Sequence, residues 1–193
     1  MTDQQKIDRA FFQRDPLVCA RELVGCELVW NDCGGVIVET EAYSVVNDEA
    51  CHTFHRPSSR EFVASRPPGT TYVYLNYGVH WLLNFLVKGG TEDGFVLIRA
   101  LEPTRGIPQM QQRRNTNRLA NLCSGPGKLT RALAIGGDDH SIDFPLLATA
   151  TLLQPAEKQK VLAGPRIGIT KAAHLPWRFV QKDSPFLSAP LNQ

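Results

Sequence analysis

Two stretches of this chain carry side chains in arrangements that could do chemistry. Val36 to Tyr43 reads V-I-V-E-T-E-A-Y, and residues 69–87 read G-T-T-Y-V-Y-L-N-Y-G-V-H-W-L-L-N-F-L-V. In the first, three apolar residues lead into strict alternation, the pattern of a strand that leaves a core and arrives at a surface. Side chains alternate across a strand, so Glu39, Glu41 and Tyr43 share one face and Val36, Val38 and Thr40 the other. Two carboxylates and a phenol in line offer proton transfer and stabilisation of positive charge. The plainer reading is a half-exposed strand whose polar face is wet, and spacing alone leaves both open.

In the second stretch Tyr72 and Tyr74 share a strand face, whereas Tyr77 breaks the alternation directly before Gly78. A ring at a hairpin tip has one face with little protein to pack on. It suits insertion between stacked bases or stacking on a single base, a contact of about 1–3 kcal/mol. The alternative is an aromatic staple folded back on the hairpin. On the return strand Trp81, Leu83 and Phe85 share one face and Leu82, Asn84 and Leu86 the other. Asn84 is polar in an apolar row and needs a hydrogen-bond partner in protein or ligand.

The elements that must hold these residues follow from local pattern. Residues 3–14 have weak helical spacing and read as a mobile or loosely docked start. Asp15-Pro16 begins a helix with Leu17, Ala20, Leu23 and Val24 as its apolar stripe, and Gly25 ends it. Cys26–Trp30 alternates as a strand, Asn31 to Gly35 supplies turn chemistry, and Val36 begins the return strand. Residues 44–68 read as polar loop broken by Pro57, Pro67 and Pro68. Thr70–Tyr77 and Val79–Val87 form a hairpin about Gly78, and Phe95–Leu101 is an apolar strand ended by Glu102-Pro103. Helices are expected within 109–121 and at Leu129–Ile135, the latter stopped by Gly136-Gly137. Further strands are expected in Ser141–Thr151, Arg166–Thr170 and Trp177–Gln181.

The 193 residues are 42 % hydrophobic and 21 % charged, which suits one globular domain. No run approaches a transmembrane length, and the N-terminus lacks a signal-peptide pattern. Five cysteines without a C-x-x-C pair read as reduced thiols in a cytosolic setting. The net charge of +2 conceals an asymmetry: residues 1–50 hold ten acids against four bases. Between Pro103 and Gly137 there is no acid, but Arg105, Arg113, Arg114, Arg118, Lys128 and Arg131 are all basic. Such a segment suits a surface that faces a polyanion, or a solvated helix face balanced by the acidic first quarter.

Five ordered blocks, V-E-T-E-A-Y, D-E-A-C-H, P-G-T-T-Y-V-Y-L-N-Y-G, V-L-I-R-A-L-E-P and L-C-S-G-P-G-K-L, resemble the alkyladenine (3-methyladenine) DNA glycosylase family. The match runs from about Leu17 to Pro185. The resemblance implies a single α+β domain: a curved, mostly antiparallel sheet surrounded by helices, with a protruding hairpin. It implies a monofunctional enzyme that flips a damaged purine out of the duplex and directs water at C1′, leaving an abasic site. Glu41 matches the general base and Arg99 the arginine that holds the water and the carboxylate. Tyr43, His52 and Tyr74 match the walls that sandwich the base, Asn84 the asparagine that disfavours guanine, and Ile167 a pocket-lining valine. Tyr77 matches the wedge that enters the minor groove. Ser124 and Lys128 fall in a segment expected near phosphates, with Arg113 and Arg114 in the basic segment before it. No metal or organic cofactor is implied. The expected partner is double-stranded damaged DNA, bound by a monomer in the cytoplasm, at the nucleoid of a bacterium or in the nucleus of a eukaryote.

Physical chemistry agrees with those roles. Extrusion of a base costs a few kcal/mol, and a wedge and an aromatic sandwich offset it. Bond cleavage with oxocarbenium character calls for a carboxylate beside the sugar, which Arg99 would help to keep ionised. Two departures stand out: residues 53–68 lack the family's T-P-R-N-like run, and Asn76 replaces a usually apolar neighbour of the wedge. G-P-G-K-L-T at 125–130 lacks the first glycine of a phosphate loop, since Leu122 stands there. Cys51, His52 and His55 have no second pair to complete a zinc site. A damage-binding protein without efficient catalysis and a hydrolase of free nucleosides are the other two readings of the whole. Single-turnover base release tests the first, and activity on small substrates the second.

Overall fold

A computed structural model describes residues 4–191 of the chain. Two long antiparallel strands form its spine, β2 (Cys33–Ser44) and β5 (Gly94–Arg105), both rich in the β-branched and large apolar residues that suit a pleated core. β5 continues on one side into the hairpin of β3 (Thr71–Asn76) and β4 (His80–Val87). On the other side β2 has two successive neighbours. Its first part pairs with β1 (Glu27–Trp30), which pairs in turn with β6 (Ala150–Leu153). Its second part, Glu39 to Glu41, pairs with β8 (Arg178–Gln181), whose own neighbour is β7 (Val161–Gly164). The result is an eight-stranded, wholly antiparallel sheet in a single α+β domain.

Where β2 changes neighbour the register with β5 also slips. Pairs run Ile37↔Leu101, Glu39↔Ala100 and Thr40↔Ile98, so Val38 and Arg99 are both left without an opposite residue. Such bulges bend a strand and re-aim its side chains. They curve the sheet at the place where its buried charges lie.

Helices cover both faces. α1 (Pro16–Leu23), α4 (Ile107–Arg114) and α5 (Pro126–Leu133) pack on the large core, with Leu23, Met110, Leu129 and Leu133 fully buried against Ile37, Ile98, Leu83 and Phe85. α2 (His52–His55) and α3 (Pro57–Ser65) cover a smaller cluster of Cys51, Phe62, Val63, Tyr72, Leu86 and Phe95. Alternation along β4 explains the division: Leu83, Phe85 and Val87 enter the large core, whereas Leu86 enters the small one and Leu82 and Asn84 point to its side.

Several expectations are corrected. The V-E-T-E-A-Y strand does not emerge at a surface, because β8 closes its second edge and both Glu39 and Glu41 are wholly buried. Residues 44–68 hold two helices; Pro57 opens α3 at its first position, where a missing N–H costs nothing. β5 runs through Glu102-Pro103 to Arg105, with Pro103 beside a register shift at Gly34/Gly35. α4 ends at Arg114 on a left-handed Asn115, followed only by a short turn of 3₁₀ helix, and α5 ends on left-handed Ala134 before the glycines. Arg166–Thr170 is irregular rather than strand, and the strand expected in Ser141–Thr151 starts only at Ala150. The N-terminal segment docks: Ile7 and Phe12 are buried in the core and Lys6 bridges to Leu153. Residues 1–3, which include the start of that segment, lie outside the described residues.

Candidate active site

The sheet carries an aromatic cleft of about 330 Å³ on its smaller-core side, between the β3–β4 hairpin, α2 and the irregular segment after β7. Tyr43, His52, Tyr74, Asn84, Arg99 and Ile167 all line it, so the structure brings together every base-pocket residue expected from the sequence. His52 and Tyr74 meet edge to face with ring centres 4.4 Å apart. Asn84 answers its own polar question by donating from Nδ2 to the Tyr72 carbonyl at 3.0 Å, which fixes its amide within the cleft wall.

Glu41 lies directly behind three of these lining residues. Its Oε2 accepts from the Tyr43 hydroxyl at 2.8 Å and from Arg99 Nη1 at 3.2 Å, and its Oε1 accepts from the Ile167 N–H at 2.7 Å. Burial raises the carboxyl above its ordinary range; Arg99, the Ile167 N–H and the Tyr43 hydroxyl pull the other way, and Glu39 adds to the rise. Arg99 therefore acts as expected, toward the ionised acid, against the opposing effect of burial. Burial also works against the Arg99 charge, yet Glu41 and Glu39 overcome it, and the guanidinium is held more firmly protonated than usual.

The aromatic walls are uncharged at neutral pH. Burial lowers His52 from 6.5 to about 4, with Arg56 and His55 adding to the effect. Burial likewise lifts the Tyr74 phenol to about 12 and Tyr43 well above its ordinary value. His52 Nδ1 lies 3.1 Å from the Tyr72 hydroxyl, which in turn meets Ser59 Oγ at 2.9 Å, so the unusual 53–68 segment reaches the cleft through α3.

At the rim, Tyr77 and Gly78 take φ of 48° and 68°, a pair of left-handed residues closed by the Val79 N–H on the Asn76 carbonyl at 3.1 Å. This is the tight turn that matches strand twist, and its first position ordinarily favours Asn or Gly. A tyrosine in that conformation stores local strain. Its ring is 89 % exposed, which excludes the staple, and Leu75 and Val79 are exposed beside it.

A shallower groove lined by Asn76, His80, Arg114, Lys128 and Arg131 adjoins the cleft. Ser124 is nearly buried beneath it and accepts from Lys128 Nζ at 3.3 Å, so it orients the lysine rather than facing outward. Arg114 is anchored through Nε on the Leu122 carbonyl at 3.1 Å. Arg113 is not brought there. It turns into the body, donating to the Ala132 carbonyl at 2.8 Å and to Cys33 Sγ at 3.3 Å, and its expected place facing phosphate is corrected accordingly.

Four charged or polar residues of the site escaped the sequence reading. Asp48 and Arg166 form a fully buried pair at 2.6 and 2.7 Å, and the Arg166 guanidinium stacks on Tyr43 at 4.6 Å. That pair pins residue 166 so that its neighbour Ile167 can reach Glu41. Arg178 and Ser188 grip Glu39 at 2.7 Å each. Only the one-face spacing of Glu39 with Glu41 hinted at any of this.

A buried carboxylate under an aromatic cleft with a projecting ring suits base excision, and by its family the chain is a DNA N-glycosylase that takes damaged DNA as its substrate. It belongs to the methylpurine-DNA glycosylase family, whose profile matches residues 10–185. A relative from Rhizobium johnstonii is 47 % identical over 185 residues, covering 95 % of this chain and 90 % of its own. Relatives from Agrobacterium fabrum and Nitrosospira multiformis are 45 % and 44 % identical, with 92 % and 93 % of their own lengths covered and 95 % and 94 % of this one. All three names assign 3-methyladenine DNA glycosylase activity provisionally. Among the described residues no helix is long and apolar enough to cross a membrane.

Proposed function

We propose that the enzyme is a monofunctional glycosylase that flips damaged purines from the minor-groove side and hydrolyses their glycosidic bond, with 3-alkyladenine as the main substrate and hypoxanthine and ethenoadenine as further ones. The observation that carries the reading is the seat of Glu41, buried behind Tyr43, Arg99 and Ile167 at the back of the aromatic cleft. There it takes a proton from water as the oxygen bonds to C1′, while the electrons of the C1′–N bond leave with the base. The carboxylate also faces the positive charge that builds on the sugar. A pKa raised by burial suits a base that must accept that proton.

The neutral rings of Tyr43, His52 and Tyr74 favour a flat base, and a 3-alkyladenine that carries positive charge gains further from their faces. Tyr77 takes the vacated place in the stack, and Arg114, Lys128 and Arg131 face the phosphates beside it. Every one of these residues comes from one chain, so a monomer suffices. The test is base release from duplexes holding each lesion singly, alongside the free nucleosides. Release from 3-alkyladenine in duplex DNA with no turnover of nucleosides is expected. Turnover of nucleosides at comparable efficiency would overturn the reading.

A further inference from the structure

Glu39 is the acid of the V-E-T-E-A-Y run that the assignment of Glu41 leaves unused. It is wholly buried, and an unpaired carboxylate there would be costly. Instead it accepts four hydrogen bonds, from Arg99, Arg178 and both the hydroxyl and the N–H of Ser188. Arg178 Nε and the Ser188 hydroxyl each reach its Oε1 at 2.7 Å, and the Ser188 N–H reaches Oε2 at 2.6 Å. Arg178 is itself tied to the carbonyls of Ala189 and Pro190. Arg99 then bridges the two acids, with Nε at 3.2 Å from Glu39 Oε1 and Nη1 at 3.2 Å from Glu41 Oε2.

The backbone cannot aim Arg99 by itself, because Arg99 is the residue left over at the register shift. A guanidinium is planar with a rigid fork of donors, so anchoring Nε fixes where Nη1 points. Resting on the reading of Glu41 as the general base, we propose that Glu39, fastened by Arg178 and Ser188, is a positioning residue that aims the Arg99 guanidinium at Glu41. The C-terminal residues 188–190 thereby become part of the catalytic apparatus without touching substrate.

The groups that face Glu41 are Arg99 on β5, Arg178 opposite it on β8, Glu39 and Tyr43 on its own strand, Tyr74 on β3, and the Ile167 N–H beside Arg166. Two guanidiniums, Arg99 and Arg178, thus serve two carboxylates. Loosening the hold on Glu39 draws Arg99 toward it and away from Glu41. Removing the Glu39 charge leaves Arg99 to Glu41 alone and takes away a like-charge neighbour. The two changes move the ionisation of Glu41 in opposite directions, which a merely structural brace would not do.

The experiment is single-turnover base release from methylated duplex DNA as a function of pH. Ser188→Ala and Arg178→Met are expected to move the acid limb upward by about half a unit or more, Arg178→Lys to restore it, and Glu39→Gln to move it downward. Ser188→Ala deletes one hydroxyl, which holds Glu39 at 2.7 Å and meets Arg99 Nε and Nη2 only at 3.5 Å, and keeps the backbone contact, so it carries the test if Arg178→Met does not fold. Limbs that stay at the wild-type position in folded Ser188→Ala and Glu39→Gln, or that shift the same way in both, would overturn the proposal. Glu41→Gln run alongside distinguishes the failures. An active Glu41→Gln removes the premise, whereas an inactive one with unmoved limbs elsewhere removes only this inference.

Discussion

The Ile167 N–H donates to Glu41 Oε1 at 2.7 Å, joining an irregular segment late in the chain to the middle of the central strand. This bond and those from Tyr43 and Arg99 occupy both oxygens of the acid, so its orientation is fixed before any substrate arrives. In the role proposed for Glu41, a carboxylate held in this way would need little reorganisation on reaction, which is how preorganised groups accelerate chemistry.

Glu41→Gln keeps the shape of the side chain and removes the charge. Base release is expected to fall by about 10²–10⁴-fold, while affinity for a lesion-bearing duplex stays within a few-fold of wild type. Single-turnover release and equilibrium binding on one duplex check both halves. A variant that loses binding as fully as release would mean that Glu41 serves the pocket and not the reaction.

Tyr77→Ala probes the tip. The residue is almost entirely exposed, and Ala keeps the Cβ that strains the left-handed backbone there, so thermal stability should be unchanged. Binding to damaged duplex should weaken by about 1–3 kcal/mol, and release from a lesion that is already unpaired should suffer less. Equal losses on paired and unpaired lesions would argue against a wedge.

Legibility from sequence differs between the two faces of the sheet. The hairpin is legible, because Gly78 marks a reversal between two alternating runs, whereas the same spacing leaves the Tyr77 ring open between exposure and a staple. The residues that meet in the cleft are legible as a group only through the resemblance, since alternation alone leaves a wet strand edge as an equal reading. What stays hidden depends on pairings distant in sequence: β8 closing over Glu39 and Glu41, and Arg166 reaching back to Asp48. The helices at 52–65 escape because proline reads as a breaker, whereas Pro57 opens α3. Charge alone puts Arg113 on the surface, and nothing in a run of bases says which of them folds inward.

Asp48→Asn tests the hidden pair. It leaves the Arg166 guanidinium buried without its counter-charge, and removing one partner of such a pair costs about 3–5 kcal/mol. Denaturant unfolding should report a loss of that order. Because Arg166 also stacks on Tyr43 and precedes Ile167, base release should drop further than the unfolded fraction explains. A stability change under about 1 kcal/mol would mean that the pair contributes little to holding the 166–169 segment.

Lys128→Ala tests the groove beside the cleft. Among the described residues its ammonium is bonded only to Ser124, and Arg114 and Arg131 stand near with no acid lining the groove. Deleting one cation that faces a phosphate should lower the steepness of log affinity against log salt by about 1, without altering which lesion is preferred. Arg113→Ala is the contrast. Its guanidinium is committed to Ala132 and Cys33, so that variant should lose stability and leave the salt dependence as it was. The reverse pattern would exchange the roles of the two residues.

His52 supplies a prediction about acid stability. Burial lowers its pKa from 6.5 to about 4, so the unfolded chain takes up a proton in a range where the folded ring stays neutral. Between those values the unfolded state binds more protons, and stability must fall as the pH drops from 6.5 toward about 4. The residue's contribution to the slope fades over about one pH unit above 6.5. His52→Gln replaces the ring with a group that does not titrate, so its unfolding free energy should be flatter across that window, even if the variant is less stable at neutral pH. Urea unfolding at several pH values measures the difference in slope. The same neutrality suits the proposed reaction, because a charged imidazole would repel a cationic alkylated base and burial keeps His52 neutral. If wild type and His52→Gln kept parallel pH profiles, the imidazole would be titrating as it does in water, and burial in the cleft wall would not be holding it neutral in mild acid.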